Sequence, residues 1–248
     1  MVIKKKSLNP VKFIDTRNMD RKKEAENTYR GTRGEVYQKS RHRVGDRGFE
    51  LIARSRARKI RKYIKPGDSV LEFGVGQGWN LAKITCREKV GYDISEEPKR
   101  LRGYEISFVR DLKEIGNKRF DVIICHHALE HTPDPAAMLQ QISGLLAKDG
   151  KLLVFIPWET QLKYRRFNKN EPNHHLFSWN AQSLGNLLTA CGFEVVEYGI
   201  IPFGYERRAA AITEKLKAGY PVFLFILALL RLLRPVREIK FIARLKRV

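Results

Sequence analysis

The sequence is poor in several residue types, and each shortage excludes a class of protein. Only 3 of the 248 residues are cysteine, and Cys86, Cys125 and Cys191 stand at unrelated spacings. Neither a disulfide framework nor a cysteine-rich zinc site is therefore expected. The amino-terminal residues contain no apolar run of the kind that a secretory signal peptide needs, and we expect the protein in the cytoplasm.

Acidic residues are also scarce, and the resulting charge is unevenly distributed. The chain has 27 Asp and Glu against 48 Lys and Arg, a net charge of +21. Residues 1–66 carry +14, residues 67–200 carry −1, and residues 201–248 carry +8. This predicts a basic amino-terminal extension over 1–47, partly disordered or acting as a lid, a central domain over 48–200, and a tail over 201–248. The basic ends are expected to contact an anionic membrane surface or nucleic acid.

The expected tail combines an apolar run with a basic segment. Residues 218–230 are uncharged, but this run is too short for a membrane-spanning helix, which needs about 20 residues. After Pro235, apolar residues recur at helical spacing among Lys and Arg, namely Val236, Ile239, Ile242 and Leu245. The pattern predicts a basic amphipathic helix that holds the protein on the inner membrane face without crossing it. Packing of the apolar run on the sheet or on a second subunit is the alternative.

The most informative stretch runs from Val70 to Asn80. It begins with apolar residues typical of a buried parallel strand, and it continues into a helical pattern after Asn80. Between them stand Glu72 and glycines at every second position, Gly74, Gly76 and Gly78. Glycine permits sharp turns and lets the backbone approach a ligand closely. A strand, a glycine loop and a helix in this order form a pocket at the carboxyl end of a parallel sheet. The spacing differs from the G-x-G-x-x-G of pyrophosphate binders.

Three further strands are predicted downstream, and each ends in polar residues. Residues 89–93 form one strand, which ends at Asp93 and is followed by Ile94. Residues 106–111 form the next, which ends at Asp111 before Leu112. Residues 120–126 form a third, which leads into His126-His127-Ala-Leu-Glu130-His131. Carboxyl ends of parallel strands share one edge, so these residues should meet there.

These motifs resemble, in order, those of the class I S-adenosylmethionine-dependent methyltransferases of the small-molecule type, the methyltransferase 11/23 families. The resemblance spans about residues 52–198. It implies an α/β, Rossmann-like, doubly wound sheet of seven mostly parallel strands, with helices on both faces. It also implies the cofactor S-adenosyl-L-methionine, with Asp93 on the ribose hydroxyls and Asp111 at the adenine. The residues assigned to cofactor binding are Glu72, Gly74, Gly76, Gly78, Asp93, Ile94, Asp111, Leu112 and His126.

The histidines near the expected acceptor are candidates for a general base. His127 and His131 follow the fourth strand, and His175 precedes the last helix of the domain. H-x-x-E-H over 127–131 is also an inverted zinc protease signature, but Pro133 and Pro135 interrupt any helix there, and no metal is expected. A third interpretation is structural, with Glu130 and His131 organising the loop and capping the next helix.

The resemblance implies in-line methyl transfer to a small or lipid-linked acceptor, such as a quinone precursor, a lipid or a carrier-linked sugar. Two alternatives stay open at this point. The charge of +21 permits an RNA methyltransferase, although no N-P-P-Y-type tetrapeptide follows the fourth strand. A non-catalytic protein that keeps the fold and binds a partner or a membrane is the other.

Overall fold

The computed structural model describes residues 44–96, 98–160, 166–168 and 173–246. The amino-terminal extension expected over 1–47 thus lies almost wholly outside the described residues. The strands are β1 Ser69–Phe73, β2 Glu88–Tyr92, β3 Ile106–Val109, β4 Phe120–His126, β5 Leu146–Pro157, β6 Phe193–Phe203 and β7 Val236–Leu245. The described α-helices are α1 Asp46–Ile60, α2 Pro135–Leu145, α3 Ala181–Ala190, α4 Glu206–Lys215 and α5 Tyr220–Leu233. Short 3₁₀ helices cover Arg61–Tyr63, Lys99–Tyr104, Leu112–Ile115 and Leu129–His131.

The strands form one sheet in the order β3-β2-β1-β4-β5-β7-β6. The pairs among β1 to β5 are parallel, and β7 runs antiparallel to both of its neighbours. The seven-stranded, mostly parallel sheet expected from the sequence is confirmed. Because the chain order reverses on either side of β1, a crevice opens at the carboxyl ends of β1 and β4.

Apolar side chains cover both faces of this sheet. Successive strand residues point to opposite faces, so Val70 packs towards α1, in the cluster that contains Ala57 and Ile60. Leu71 packs on the other face, where α2 and α3 contribute Leu139, Ile142, Leu184 and Leu188. Helices therefore lie on both faces, as a doubly wound sheet requires.

The helix expected after the H-x-x-E-H segment and the last helix of the domain are present as α2 and α3, and both have local signals at their ends. At α2, Asp134 accepts a hydrogen bond from the Ala137 amide at 3.0 Å, and Pro135 occupies the first turn. At α3, Asn180 accepts one from Ser183 at 2.8 Å, and Gly192 follows with a φ of 86°. A side-chain oxygen that caps the amino-terminal end and a glycine with positive φ after the carboxyl-terminal end are common features of helix ends.

The helix expected after Asn80 is not formed. Residues 79–83 make turns, with one α-type hydrogen bond from Ala82 to Gly78 at 2.9 Å. The short connection to β2 leaves little chain for a helix, and the buried side chains of Leu81 and Ile84 instead anchor the turns to the core.

The prediction of an amphipathic helix after Pro235 is wrong. Residues 236–245 form β7, which pairs with β5 on one side and β6 on the other. The apolar spacing of three fits a helix, but it also fits a strand that is buried on both faces. The charges that argued against burial are paired: Glu238 contacts Lys59 at 2.7 Å, and Lys240 bonds Glu197.

Residues 204–235 are an insertion in the sheet, not a detached tail. β6 continues to Phe203, across the boundary expected at residue 200, and α4 and α5 then connect it to β7. Both helices pack against α1, in a cluster that joins Leu51 and Ile52 to Ala209, Phe223 and Leu227. Among the described residues, no helix is both long and apolar enough to cross a bilayer.

The position of β7 predicts where the carboxyl-terminal residues contribute to stability. Phe241 on β7 is buried and Leu232 on α5 is 79% exposed. We expect Phe241→Ala to lower the unfolding free energy by about 3–5 kcal/mol, and Leu232→Ala to change it by less than about 0.5 kcal/mol. Urea denaturation of both variants measures this. Equally small losses would contradict the placement of β7 inside the sheet.

Candidate active site

An open cavity of about 1390 Å³ lies at the carboxyl edge of the sheet. On one side its wall is formed by the loops after β1, β2 and β3. On the other side the wall is formed by the segment after β4, the end of β6, and the first turn of α4. Nearly all the residues that sequence analysis selected line it; Gly78 is the exception. We refer to the two sides as the glycine-loop side and the histidine side.

Glu72 stands at the end of β1 with its carboxylate buried in the cavity wall. Asn80 donates a hydrogen bond to its Oε1, while Oε2 has no partner and no contact with solvent. Burial raises the pKa of Glu72 to about 8, against the opposing effect of the Asn80 hydrogen bond. Without ligand this carboxyl therefore holds a proton at neutral pH, and a cationic ligand that brings a donor to Oε2 would favour the ionised form.

The three glycines of the loop have positive φ angles, but for different steric reasons. A Cβ on Gly74 would lie 2.6 Å from the Cβ of Ala128, and one on Gly78 would lie 2.4 Å from Leu101. A Cβ on Gly76 would meet no atom within 4 Å. Gly74 and Gly78 thus serve close packing, and Gly76 presents bare backbone to open space in the cavity.

Asp93 connects the glycine loop to the loop after β2. Its Oδ2 accepts a hydrogen bond from the Gly76 amide at 2.9 Å, and its Oδ1 accepts one from Ser95 at 2.9 Å. Each carboxylate oxygen can accept a second bond, so the side chain is held in place and still able to bind hydroxyls. Ile94 lies beside it in the cavity wall.

Asp111 and Leu112 lie at the outer end of the glycine-loop side. Asp111 caps the 3₁₀ helix that follows it: its Oδ1 accepts from the Lys113 amide at 3.0 Å, and Glu114 accepts from the Asp111 amide at 2.8 Å. This cap alone explains why an acidic residue stands at position 111, without any contact with a ligand. Contact of Asp111 with a ligand therefore stays a prediction.

Four residues form an ionic cluster on the histidine side: Lys59, His126, His127 and Glu238. Lys59 donates to Glu238 at 2.7 Å and to His126 at 2.8 Å, and Nε2 of His127 lies 3.0 Å from Glu238. Burial would raise the pKa of Glu238, but Lys59 and the two histidines outweigh it and hold that pKa well below its usual range. The carboxylate is therefore ionised.

His127 is the member of this cluster best placed to act as a base. Burial lowers its pKa, against the opposing effect of Glu238, and the ring is neutral at pH 7. With Nε2 protonated and donating to Glu238, Nδ1 keeps its lone pair. The ring is also fixed by His126 and Phe203, whose centroids lie 4.4 and 4.3 Å away. A carboxylate that orients a histidine is the arrangement used in acyl-transfer triads.

The other candidate histidines lie together in a second cluster. The rings of His131 and His175 pack edge to face with their centroids 4.8 Å apart. Nδ1 of His175 lies 2.6 Å from Oε1 of Glu159. Burial lowers the pKa of His131 to about 3. Glu130 is buried with no hydrogen-bond partner on its carboxylate, and burial raises its pKa to about 7.

The H-x-x-E-H segment does not form the helix of a zinc protease. Residues 129–131 make one 3₁₀ turn, and His127 and His131 belong to different clusters. Helix capping by Glu130 or His131 is also wrong, because Asp134 caps α2. The loop-organising interpretation is supported, since the Glu130 carbonyl accepts the amides of Leu176 and Phe177 at 2.9 and 3.2 Å.

Comparison with known proteins identifies the family. Residues 41–198 match the profile of the methyltransferase domain family, a range that covers most of the chain. The chain is a class I methyltransferase. Its sheet order and single antiparallel strand agree with that fold.

Curated relatives of this methyltransferase match over part of their length. Ubiquinone biosynthesis O-methyltransferase of Hahella chejuensis is 34% identical over 103 residues, which are 36% of this chain and 43% of that protein. The protein of that name from Neisseria meningitidis serogroup C is 35% identical over 100 residues, 34% of this chain and 42% of the other. The methyltransferase thus spans less than half the length of these relatives.

Solved structures share the fold at low sequence identity. Magnesium protoporphyrin IX methyltransferase of Synechocystis PCC 6803, with bound S-adenosylhomocysteine, superposes with a TM-score of 0.59 at 15% identity, over 92% of this chain and all of that one. A Burkholderia thailandensis 1,6-didemethyltoxoflavin N1-methyltransferase gives 0.54 at 20% identity, over 86% and 85%.

Sequence reasoning missed several residues that form the histidine side of the methyltransferase. Lys59 was not selected, and Glu238 fell in the segment expected to form a membrane helix. Four arginines from the insertion and the start of β7 line the cavity and were not expected there: Arg207, Arg208, Arg234 and Arg237. No local signal marks them, because only the pairing of β7 between β5 and β6 brings them to the site.

The raised pKa of Glu72 gives a prediction for the protein without ligand. Since the folded-state pKa of about 8 exceeds the ordinary value of 4.5, the folded state retains a proton that the unfolded state releases, and stability falls as pH rises through this window. The unfolding free energy of Glu72→Gln should therefore be higher than that of wild type at pH 9, by on the order of a few kcal/mol. At pH 4.5 the two unfolding free energies should be similar.

Chemical denaturation at both pH values measures the difference. Glu105→Gln, which alters an exposed carboxyl, is the matched control and should show no such gain. A Glu72→Gln curve parallel to that of wild type across the range would show that this carboxylate is not shifted.

Proposed function

We propose that the protein transfers the methyl group of S-adenosyl-L-methionine to a hydroxyl of a small or lipid-linked acceptor. The observation that carries the proposal is the pairing, across one cavity, of the glycine-loop side with a carboxylate-held His127. The name of the curated relatives, ubiquinone biosynthesis O-methyltransferase, supports a quinone precursor with a phenolic hydroxyl as the acceptor class.

The residues of the glycine-loop side fit the chemistry of this cofactor. Its amino acid end carries an ammonium and a carboxylate. The unpaired Oε2 of Glu72 suits the ammonium, and Arg56, whose buried Nε has no acceptor, suits the carboxylate. Asp93 has lone pairs for the ribose hydroxyls, and Gly76 leaves the space open. When bound, the cofactor supplies an electrophilic methyl group on a sulfonium.

The protein's main contribution to such a reaction is alignment. Holding two reacting atoms about 3–3.5 Å apart in line supplies much of the rate enhancement. A hydroxyl acceptor must also lose its proton, and we assign that proton to Nδ1 of His127. The ionised carboxylate of Glu238 would stabilise the imidazolium cation that His127 then becomes. His175, held by Glu159, and the neighbouring His131 are the remaining candidates.

The assignment of the base predicts a separation of rate from binding. His127→Ala should lower turnover by about 10²–10⁴-fold, the usual effect of losing a general base, and leave cofactor affinity close to wild type. His131→Ala and His175→Ala are the matched controls and should retain most of the rate. Radiolabelled methyl transfer to a catechol acceptor measures turnover, and calorimetry measures affinity.

The pH profile of the same reaction adds a second test. Because the pKa of His127 is lowered, its ring is neutral and Nδ1 carries no proton at neutral pH. The rate should therefore fall only when the pH drops below the ordinary histidine pKa of about 6.5. Full turnover in the His127→Ala variant, or an acid limb above pH 7, would remove His127 from this role.

We further propose that α5 rests on a membrane surface. One face of this helix packs on the protein, and the other exposes an apolar stripe of five residues: Val222, Phe225, Leu229, Leu232 and Leu233. Phe225, Leu232 and Leu233 are 70%, 79% and 73% exposed. Exposed apolar stripes of this kind, next to arginines, are typical of helices that lie in an anionic interface.

Point variants test this surface better than a truncation, since truncation would remove β7. Phe225→Ser with Leu232→Ser should reduce co-sedimentation with phosphatidylglycerol vesicles, because each side chain contributes about 1.5–3 kcal/mol when fully removed from water. Tyr198→Ser, on the exposed edge strand β6, is the control. A wild-type protein that never sediments with the vesicles would refute the membrane assignment.

A further inference from the structure

The histidine side of the cavity has a strongly basic outer edge. Arg207 and Arg208 lie in the first turn of α4, Arg234 follows α5, and Arg237 is the second residue of β7. All four line the same cavity, and we call them the arginine rim. Arg207, Arg208 and Arg234 come from the insertion over residues 204–235, which connects the two final strands of the sheet, and Arg237 follows it on β7.

Acidic groups near the rim are already engaged elsewhere. Glu206, directly before Arg207, accepts from Arg231 at 3.1 Å, and Glu238 pairs with Lys59 at 2.7 Å. Within the part of the chain that the structure describes, Arg208, Arg234 and Arg237 form no ion pair with a carboxylate. Like charges gathered in a concave site repel one another, and an anion relieves this repulsion.

The rim adjoins both the reacting end of the cavity and the apolar stripe. Val236, the neighbour of Arg237, pairs with Phe203 of β6, and the ring of Phe203 lies 4.3 Å from that of His127. On the other side, Arg234 directly follows Leu232 and Leu233 of the stripe.

We infer that the arginine rim binds a phosphate group carried by a lipid-linked acceptor of the proposed methyl transfer. Because a quinone precursor has no phosphate, this inference favours a carrier-linked sugar among the acceptor classes. Guanidinium groups bind phosphate through paired hydrogen bonds, and a phosphate has enough oxygens for more than one arginine. A carboxylate has two oxygens and is satisfied by a single bidentate arginine. Arg208, Arg234 and Arg237 around one opening therefore favour phosphate.

The inference rests on the proposed function, and the experiment distinguishes failure of the inference from failure of the proposed function. The protein is first saturated with S-adenosylhomocysteine, and geranyl phosphate, geranic acid and geraniol are then titrated by calorimetry. Geranyl phosphate is expected to bind at least 10-fold more tightly than geraniol and more tightly than geranic acid. Rising salt should reduce that preference.

Two variants test whether the arginine rim causes the preference for geranyl phosphate. Arg234→Gln with Arg237→Gln should remove it and leave S-adenosylhomocysteine affinity unchanged. Arg244→Gln is the control, because Arg244 pairs with Glu194 at 2.9 Å and does not line the cavity. This variant should keep the full preference for geranyl phosphate.

Several results would overturn the inference. Equal affinity for geraniol and geranyl phosphate would do so, as would tighter binding of geranic acid. If the double variant loses binding to phosphatidylglycerol vesicles but keeps its preference for geranyl phosphate, the rim holds bilayer phospholipid and not the acceptor. Failure to bind S-adenosylhomocysteine at all would instead refute the proposed function.

Discussion

The buried carboxylate of Glu238 joins three elements behind the histidine side of the cavity. It lies on β7, and it bonds Lys59 on α1 and His127 after β4. A buried charge is tolerated only when it is paired, so this contact constrains the position of all three elements. Removing Lys59 would leave the charge uncompensated, and losses of about 3–5 kcal/mol are usual for such changes.

The cavity wall changes its charge from one side to the other, and this asymmetry follows from the order of the elements. The glycine-loop side presents acidic groups at strand ends, with Glu72 and Asp93 at its centre. The histidine side presents neutral histidines and, farther out, the arginine rim. A cationic sulfonium suits the first side, and an anionic, hydroxyl-bearing acceptor suits the second. The reacting atoms would meet between them.

The sequence predicts the glycine-loop side well because its signals are local. A strand, a glycine loop and an acidic strand end follow within about thirty residues, and glycine is required there by sterics that any chain obeys. The fate of residues 236–245 could not be predicted this way. Their apolar spacing fits two structures, and the partners that neutralise Glu238 and Lys240 lie far away in the chain, at Lys59 and Glu197.

Calorimetric titration of S-adenosylhomocysteine into the wild type and into Asp93→Ala tests the central claim most directly. Asp93 is held by Gly76 and Ser95, and loss of its hydrogen bonds to the ribose should weaken binding by about 1.5–3 kcal/mol, the range for bonds to a charged group. This corresponds to roughly a 10- to 150-fold higher Kd. Equal affinity in the two proteins, or no binding by the wild type, would contradict the account.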